Sequence, residues 1–139
     1  DYAYIDVNLA IPVGLPTIVR DSSGDILINA VSVTRIGDSS GNIRVDENRT
    51  SLEINDSSGR VEVRDLQGNL EVSDSSGDID IRAVTGMVHI PRDSSGDIDI
   101  QDTGADVEIG SDGSGGIKIR NVKGGVRSRG IEGGISLPR

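Results

Sequence analysis

The sequence contains no cysteine, no tryptophan and no phenylalanine, and its only aromatic side chains are Tyr2 and Tyr4. The absence of cysteine excludes disulfides and thiolate metal sites. A compact globular domain of 139 residues normally fills its core with some aromatic side chains. The core of this chain must therefore consist of aliphatic residues arranged in thin layers.

Three further features of the sequence limit the classes of function that are expected. The sequence has no run of about 18 apolar residues, which excludes a transmembrane helix. Its single histidine, His89, lacks the partners that a catalytic triad or a zinc site needs, so we expect it to point outward into solvent. The net charge of −9 disfavours non-specific binding to nucleic acid.

What the sequence does contain is a repeat. The stretch DSSGDIDI occurs at 74–81 and again at 93–100, and looser copies begin at Asp21, Asp38, Asp56 and Asp112. The starts are 17 to 19 residues apart, a period that is typical of stacked repeats. Apolar β-branched residues alternate within each copy, which indicates a strand with one buried face. A second strand-and-turn unit lies in the middle of most repeats, as in VTGMVHI at 84–90.

These features predict an all-β fold, a single-domain β-solenoid of about seven coils with two short strands per coil. We expect residues 1–20 to form an initial strand and cap, and residues 21–139 to form the solenoid repeats. The Asp-Ser-Ser-Gly corner suits a tight turn whose glycine adopts a positive φ, and the opposite corner is predicted to bend at glycine as well. Residues 46–51 depart from the corner pattern and are predicted to bulge.

The segment IPVGLPTIVRDSSGDILI at 11–28 resembles the start of a family of bacterial domains of unknown function that are named as adhesins. In that family a P-x-G-x-P segment leads into SGD[IV]x[IV] repeats, and the resemblance extends over nearly the whole chain. It implies a single-chain β-solenoid that is exported to the periplasm, the cell surface or the extracellular space. It implies no catalytic residues.

Equivalent aspartates of stacked coils would form ladders, in which like charges on neighbouring strands are unfavourable. One interpretation is a Ca²⁺ site, because hard cations prefer oxygen ligands. Its ligands would be Asp74, Asp78, Asp80, Asp93, Asp97 and Asp99. The favoured alternative is turn chemistry, in which each corner aspartate accepts hydrogen bonds from the amides that follow it. Pairing between coils would offset the remaining charge; the expected pairs are Arg44–Glu62, Arg60–Asp78 and Lys118–Asp99.

Charge is unevenly divided along the chain. Residues 1–116 hold 8 basic and 22 acidic side chains, whereas residues 117–139 carry a net charge of +5. This basic end is a candidate surface for an anionic envelope polymer, lipid headgroups or the acidic end of another copy. Its residues are Lys118, Arg120, Lys123, Arg127 and Arg129. The alternative interpretation is that positive charge on a terminal edge discourages strand addition.

Enzymatic activity is not expected, because solenoid enzymes enclose their substrates with long loops and the insertions here are one residue at most. Asp102-Thr-Gly104 matches the aspartic protease triplet, but it occurs once and at a corner, so we predict a turn. The glycosylation sequons that begin at Asn48 and Asn55 are interpreted as accidental. The outward strand positions form a mixed charged column rather than the ordered threonine array of an ice-binding face.

The sequence therefore predicts a non-enzymatic β-solenoid of the cell envelope or surface, an adhesin-type scaffold or binding module. The alternative is a structural solenoid that assembles head to tail into filaments, because an open heterologous contact does not close.

Overall fold

Over the residues that the structure describes, the chain runs through fifteen short strands that alternate between two sheets. The computed structural model describes residues 7–9, 17–31, 33–110, 113–128 and 134–136. The odd-numbered strands are β1 (Val7–Leu9), β3 (Ile26–Val31), β5 (Ile43–Asn48), β7 (Val61–Leu66), β9 (Ile79–Val84), β11 (Ile98–Thr103), β13 (Gly116–Val122) and β15 (Gly134–Ser136). The even-numbered strands are β2 (Thr17–Arg20), β4 (Val33–Gly37), β6 (Leu52–Asn55), β8 (Leu70–Ser73), β10 (Val88–Arg92), β12 (Val107–Ile109) and β14 (Val126–Ser128).

The odd-numbered strands stack on one another in chain order, and so do the even-numbered strands. Every pairing among the described strands is parallel. The odd strands form an eight-stranded sheet and the even strands a seven-stranded sheet. Ile79 in β9, for example, lies beside Val61 of the preceding coil and Ile98 of the following coil. The predicted β-solenoid with two strands per coil is therefore confirmed. No helix able to cross a membrane occurs in the part of the chain that the structure describes.

The core lies between the two sheets and follows the alternation in the sequence. In the coil that contains β7 and β8, Val61, Val63, Leu70 and Val72 point inward and are at most 1% exposed. The corner between the two strands adds Leu66 to this layer. Burial of each such side chain contributes about 1.5–3 kcal/mol of transfer free energy. Aliphatic layers of this kind fill the interior without aromatic residues.

The described strands of the initial segment belong to the stack. Strand β1 pairs with β3, and β2 pairs with β4, both in parallel. The other residues of the predicted cap lie outside the described ranges.

Near the end of β7, β9 and β11 the chain turns at a residue in the left-handed conformation that is not glycine: φ is 55° at Asp65, 57° at Ala83 and 59° at Asp102. The chain bends again at Gly68, which has a positive φ, and at Gly86. The predicted bend at glycine is therefore confirmed for these corners. Gly86 is needed for another reason, because a Cβ there would lie 2.5 Å from the carbonyl oxygen of Gly68 in the preceding coil.

The bulge predicted at residues 46–51 is wrong. Asp46 and Asn48 continue β5 and pair in register with Arg64 and Leu66 of β7. Asn48 takes the buried place that Leu66 has in the next coil, and its side-chain amide donates to the carbonyl oxygen of Thr50 at 3.1 Å. A buried polar residue therefore interrupted the sequence pattern without changing the backbone. Its burial also makes Asn48 inaccessible as a glycosylation site.

Candidate functional site

The aspartate of each Asp-Ser-Ser-Gly corner organises its own turn. Asp38 Oδ1 accepts hydrogen bonds from the amides of Ser39 at 2.7 Å and Ser40 at 3.3 Å. Asp56 Oδ1 accepts the same two bonds from the serines that follow it. The predicted turn chemistry is thus confirmed, and one carboxyl oxygen is sufficient for it.

The second serine of the corner joins neighbouring coils. The hydroxyl of Ser58 donates to the carbonyl oxygen of Ser39 at 3.2 Å, and that of Ser76 donates to Ser57 at 3.3 Å. These bonds connect successive corners outside the strand ladders.

The glycine of the corner stacks directly on the glycine of the coil before it. Gly77 has a φ of 128°, and a Cβ at this position would lie 1.7 Å from the carbonyl oxygen of Gly59. Gly96 stands in the same relation to Gly77, with a distance of 1.9 Å. Both the backbone conformation and the close approach therefore require glycine in this column.

After four of the corner glycines, an aspartate or asparagine accepts a hydrogen bond from the next coil. Asp78 Oδ1 accepts from the amide of Asp97 at 2.9 Å, and Asp97 Oδ1 accepts from the amide of Gly116 at 2.8 Å. Asp25 and Asn42 act in the same way toward the amides of Asn42 and Arg60. These bonds explain why outward aspartates recur with the corners: they satisfy amides that the strand ladder does not reach.

The six predicted calcium ligands are not brought together. They divide into three columns: Asp74 and Asp93 open the corners, Asp78 and Asp97 bridge the coils, and Asp80 and Asp99 lie opposite each other on the sheet. Over the described residues, no three acidic or histidine side chains are arranged to hold a metal ion.

Arginines neutralise the outer face of the odd sheet. Asp80 is 8% exposed and lies 3.4 Å from both Arg60 Nη2 and Arg82 Nε. The predicted Arg60–Asp78 pair is therefore wrong, because Arg60 forms its ion pair with Asp80 instead. Two other predicted pairs are neighbours in register, but their ion pairs form elsewhere: Arg44 binds Asp46 at 3.2 Å, and Asp99 is bound by Arg120 at 3.7 Å.

His89 points outward from the even sheet, as predicted. Its neighbours in register are Glu71 and Glu108, and its Nε2 lies 3.9 Å from Glu108 Oε1. This single histidine belongs to a charged surface column.

The corner aspartates are buried, which the sequence reasoning missed. Asp38 and Asp56 are 6% exposed and Asp74 is 2% exposed. Burial, opposed by the serine amides, raises the pKa of Asp56 to about 6 and that of Asp74 to about 7, and burial also raises the pKa of Asp38. The signal was present in the sequence: Asp38 follows the inward Ile36 by two positions, so it continues the buried phase of its strand. Asp112 lies outside the described residues.

The basic residues surround the last described coil rather than forming one patch. Lys118 and Arg120 lie on β13, Arg127 lies on β14, and Lys123 occupies the corner between them. All four are exposed, and Arg129 is outside the described residues.

An open groove of about 620 Å³ follows the left-handed corners over four coils. It is lined by Asp65, Ala83, Asp102 and Asn121, among others. The predicted turn at Asp102 is confirmed: this penultimate residue of β11 has a φ of 59°, and its Oδ1 accepts from Asn121 Nδ2 at 2.9 Å. The connection from β11 to β12 covers only residues 104–106, so no loop projects over the groove there.

The described residues present three surface features: the columns of equivalent aspartates, the open groove, and a basic band formed by Lys118, Arg120, Lys123 and Arg127. Comparisons with family models, with curated proteins and with solved structures found no match to this chain.

Proposed function

We propose that the protein is a non-enzymatic β-solenoid of the bacterial envelope or cell surface, exported and of the adhesin type that its sequence resembles. It binds an anionic envelope polymer by shallow, multivalent contacts. The observation that carries this proposal is the basic band, in which Lys118, Arg120, Lys123 and Arg127 are exposed around a single coil.

The basic band differs from the rest of the surface in its charge balance. On the central coils of the odd sheet, arginines are held by carboxylates, as in the Arg64–Glu62 and Arg82–Asp80 pairs. Residues 113–128 contain four basic side chains and no acidic one, so positive charge remains for an external anion although Arg120 is paired with Asp99. A polyanion can contact both sheet faces and the corner of this coil at once, which favours multivalent binding.

The non-enzymatic part of the proposal is supported by how the polar groups are used. The corner aspartates and serines hydrogen-bond to the backbone of their own or the neighbouring coil. The groove along the left-handed corners is open along the stack, whereas catalytic sites are usually concave enough to bury most of a ligand.

The test is binding to purified wall teichoic acid, a polymer of negative charge, followed by calorimetry at several salt concentrations. The triple variant Lys118→Gln/Lys123→Gln/Arg127→Gln should lose at least tenfold in affinity, and binding by the unmodified protein should weaken as salt increases. The matched control Arg35→Gln/Arg49→Gln/Arg60→Gln removes the same charge from other coils and should lose much less. Equal losses in both variants, or no binding by the unmodified protein, would contradict the proposal.

A second candidate is head-to-tail assembly. Among the described strands, β2 and β14 are the outer members of the even sheet. Every pairing of neighbouring strands from β2 to β14 is parallel. A strand of one copy could therefore extend the sheet of another in the same sense, with the basic band facing the acidic end. Sedimentation velocity over a hundredfold range of concentration tests this candidate. A species that remains monomeric at low salt and high concentration would exclude it.

A further inference from the structure

The choice of aspartate at the corner is not explained by the turn. Only Oδ1 binds the serine amides, and asparagine could accept the same bonds without a charge. The second oxygen, Oδ2, is buried and has no hydrogen-bond partner in Asp38, Asp56 and Asp74. An ionised carboxylate in this position lacks compensation, which is costly in a desolvated site.

Among the described residues, the immediate surroundings of these three carboxyls are apolar. The inward residues of the adjoining strands include Ile36, Ile54 and Val72 before the corners and Ile43, Val61 and Ile79 after them. The charged groups near the column are its own members together with Asp21, Asp25 and Asp93, and three arginines of the adjoining strands, Arg20, Arg35 and Arg92. None of these arginines forms an ion pair with Asp38, Asp56 or Asp74.

We propose that the corner aspartates form a proton-binding column: on mild acidification the buried carboxyls of Asp38, Asp56 and Asp74 take up protons, and the stack of coils becomes more stable. A bound proton removes the desolvated charge and the repulsion between successive coils at the same time. The column is thus a pH-responsive device built from the repeat itself, and it does not depend on the proposed binding function.

A cation would be the alternative occupant of the column, but the ligands are too few. Calcium takes six to eight oxygens, whereas each buried corner contributes one uncommitted carboxyl oxygen. The neighbouring serine hydroxyl and carbonyl groups are already bonded to each other between coils, as in Ser58 and Ser39.

The direction of the pH effect follows from the raised pKa values. Burial raises the pKa of Asp56 to about 6 and that of Asp74 to about 7, above the 3.8 of an unperturbed aspartate. Their contribution to stability is therefore fully present below the unfolded value and is lost as the pH rises through 6 and 7. Because neighbouring carboxyls interact, the column releases its protons in spread steps rather than at one midpoint.

The decisive experiment is carboxyl ¹³C NMR of the unmodified protein, with aspartate labelled and with resonances assigned, between pH 8 and pH 4. Two aspartate resonances should titrate with midpoints near 6 and 7 and should be absent from the matching Asp56→Asn and Asp74→Asn spectra. Midpoints below pH 5 for both residues would overturn the proposal, whether or not the variants fold.

Thermal unfolding gives the linked stability. The midpoint should rise by on the order of 5–10 °C between pH 8 and pH 5 in excess EDTA. In Asp56→Asn/Asp74→Asn this rise should largely disappear, whereas the exposed control Asp65→Asn should keep it. If millimolar Ca²⁺ at pH 8 instead reproduces the whole rise in the EDTA-treated protein, the column binds a cation and the proton proposal is overturned.

Discussion

At the scale of single residues, the aspartate, the second serine and the glycine of the Asp-Ser-Ser-Gly corner each make a different contact. Aspartate holds its own turn, the second serine binds the preceding coil, and glycine lets the two backbones approach. The sequence alone could predict the turn and the glycine, because both follow from local conformation. It could not show that the serine hydroxyl and the glycine act between coils, since that depends on how successive corners are superimposed.

Replacement of a stacked corner glycine should be strongly destabilising. In Gly77→Ala, the new Cβ would clash with the carbonyl oxygen of Gly59, and φ is 128°. We expect the free energy of unfolding to fall by more than about 2 kcal/mol, measured by urea denaturation. Gly37→Ala is the control, because its Cβ would meet only Arg20 Cγ at 3.9 Å. Equal effects of the two changes would contradict the stacked corner.

The left-handed corner at Ala83 can be improved. Ala83→Asn places a residue that tolerates this conformation beside Asp65, as Asn121 lies beside Asp102 with a hydrogen bond of 2.9 Å. We expect the free energy of unfolding to rise by about 0.5–1 kcal/mol. Ala83→Val should lower it by at least about 1 kcal/mol, because a β-branched side chain is strained at a φ of 57°. Stabilisation by valine would show that this corner does not adopt the left-handed conformation.

At the scale of strands and corners, the alternation of apolar residues determined most of what could be predicted. Period-two patterning placed the inward faces correctly in both sheets, because buried positions alternate with more exposed ones over most of a strand such as β7, until the left-handed Asp65 shifts the phase. The exceptions are positions where tertiary packing overrides local chemistry. Asn48 is buried with its amide satisfied by Thr50, and a left-handed residue, Asp65, precedes the bend at Gly68.

Variants of a bridging aspartate such as Asp78 distinguish its role as a hydrogen-bond acceptor from a role of its charge. Asp78→Ala removes the acceptor for the amide of Asp97, so it should lower the free energy of unfolding by about 1 kcal/mol. Asp78→Asn keeps an oxygen at the same place and should restore stability to the level of the unmodified protein. Chemical denaturation in EDTA and in millimolar Ca²⁺ measures both effects. If Asp78→Asn is as damaging as Asp78→Ala and calcium stabilises only the unmodified chain, this aspartate is a cation ligand.

At the scale of the whole molecule, stability derives from the repetition of one coil. Each coil contacts mainly its two neighbours through parallel pairing, as β7 does with β5 and β9. Such a stack should tolerate a change in the number of coils, because every internal interface is similar. The repeat predicted this architecture from the sequence. The burial of the corner carboxyls and the distribution of the basic residues around one coil required the structure, because both depend on side-chain direction at the corners.

The most direct test of the stacked architecture is a pair of deletions measured by far-UV circular dichroism and thermal unfolding. Deleting residues 74–92 removes one complete coil and joins Ser73 to the equivalent Asp93, so the remaining corners and core layers stay in register. This chain should keep the same spectrum per residue and unfold cooperatively, with a rod shorter by about 4.8 Å in small-angle scattering. Deleting residues 74–82 removes half a coil, brings strands of one sheet into the path of the other, and should abolish cooperative unfolding. Loss of structure in the full-coil deletion, or equal tolerance of both deletions, would contradict the account.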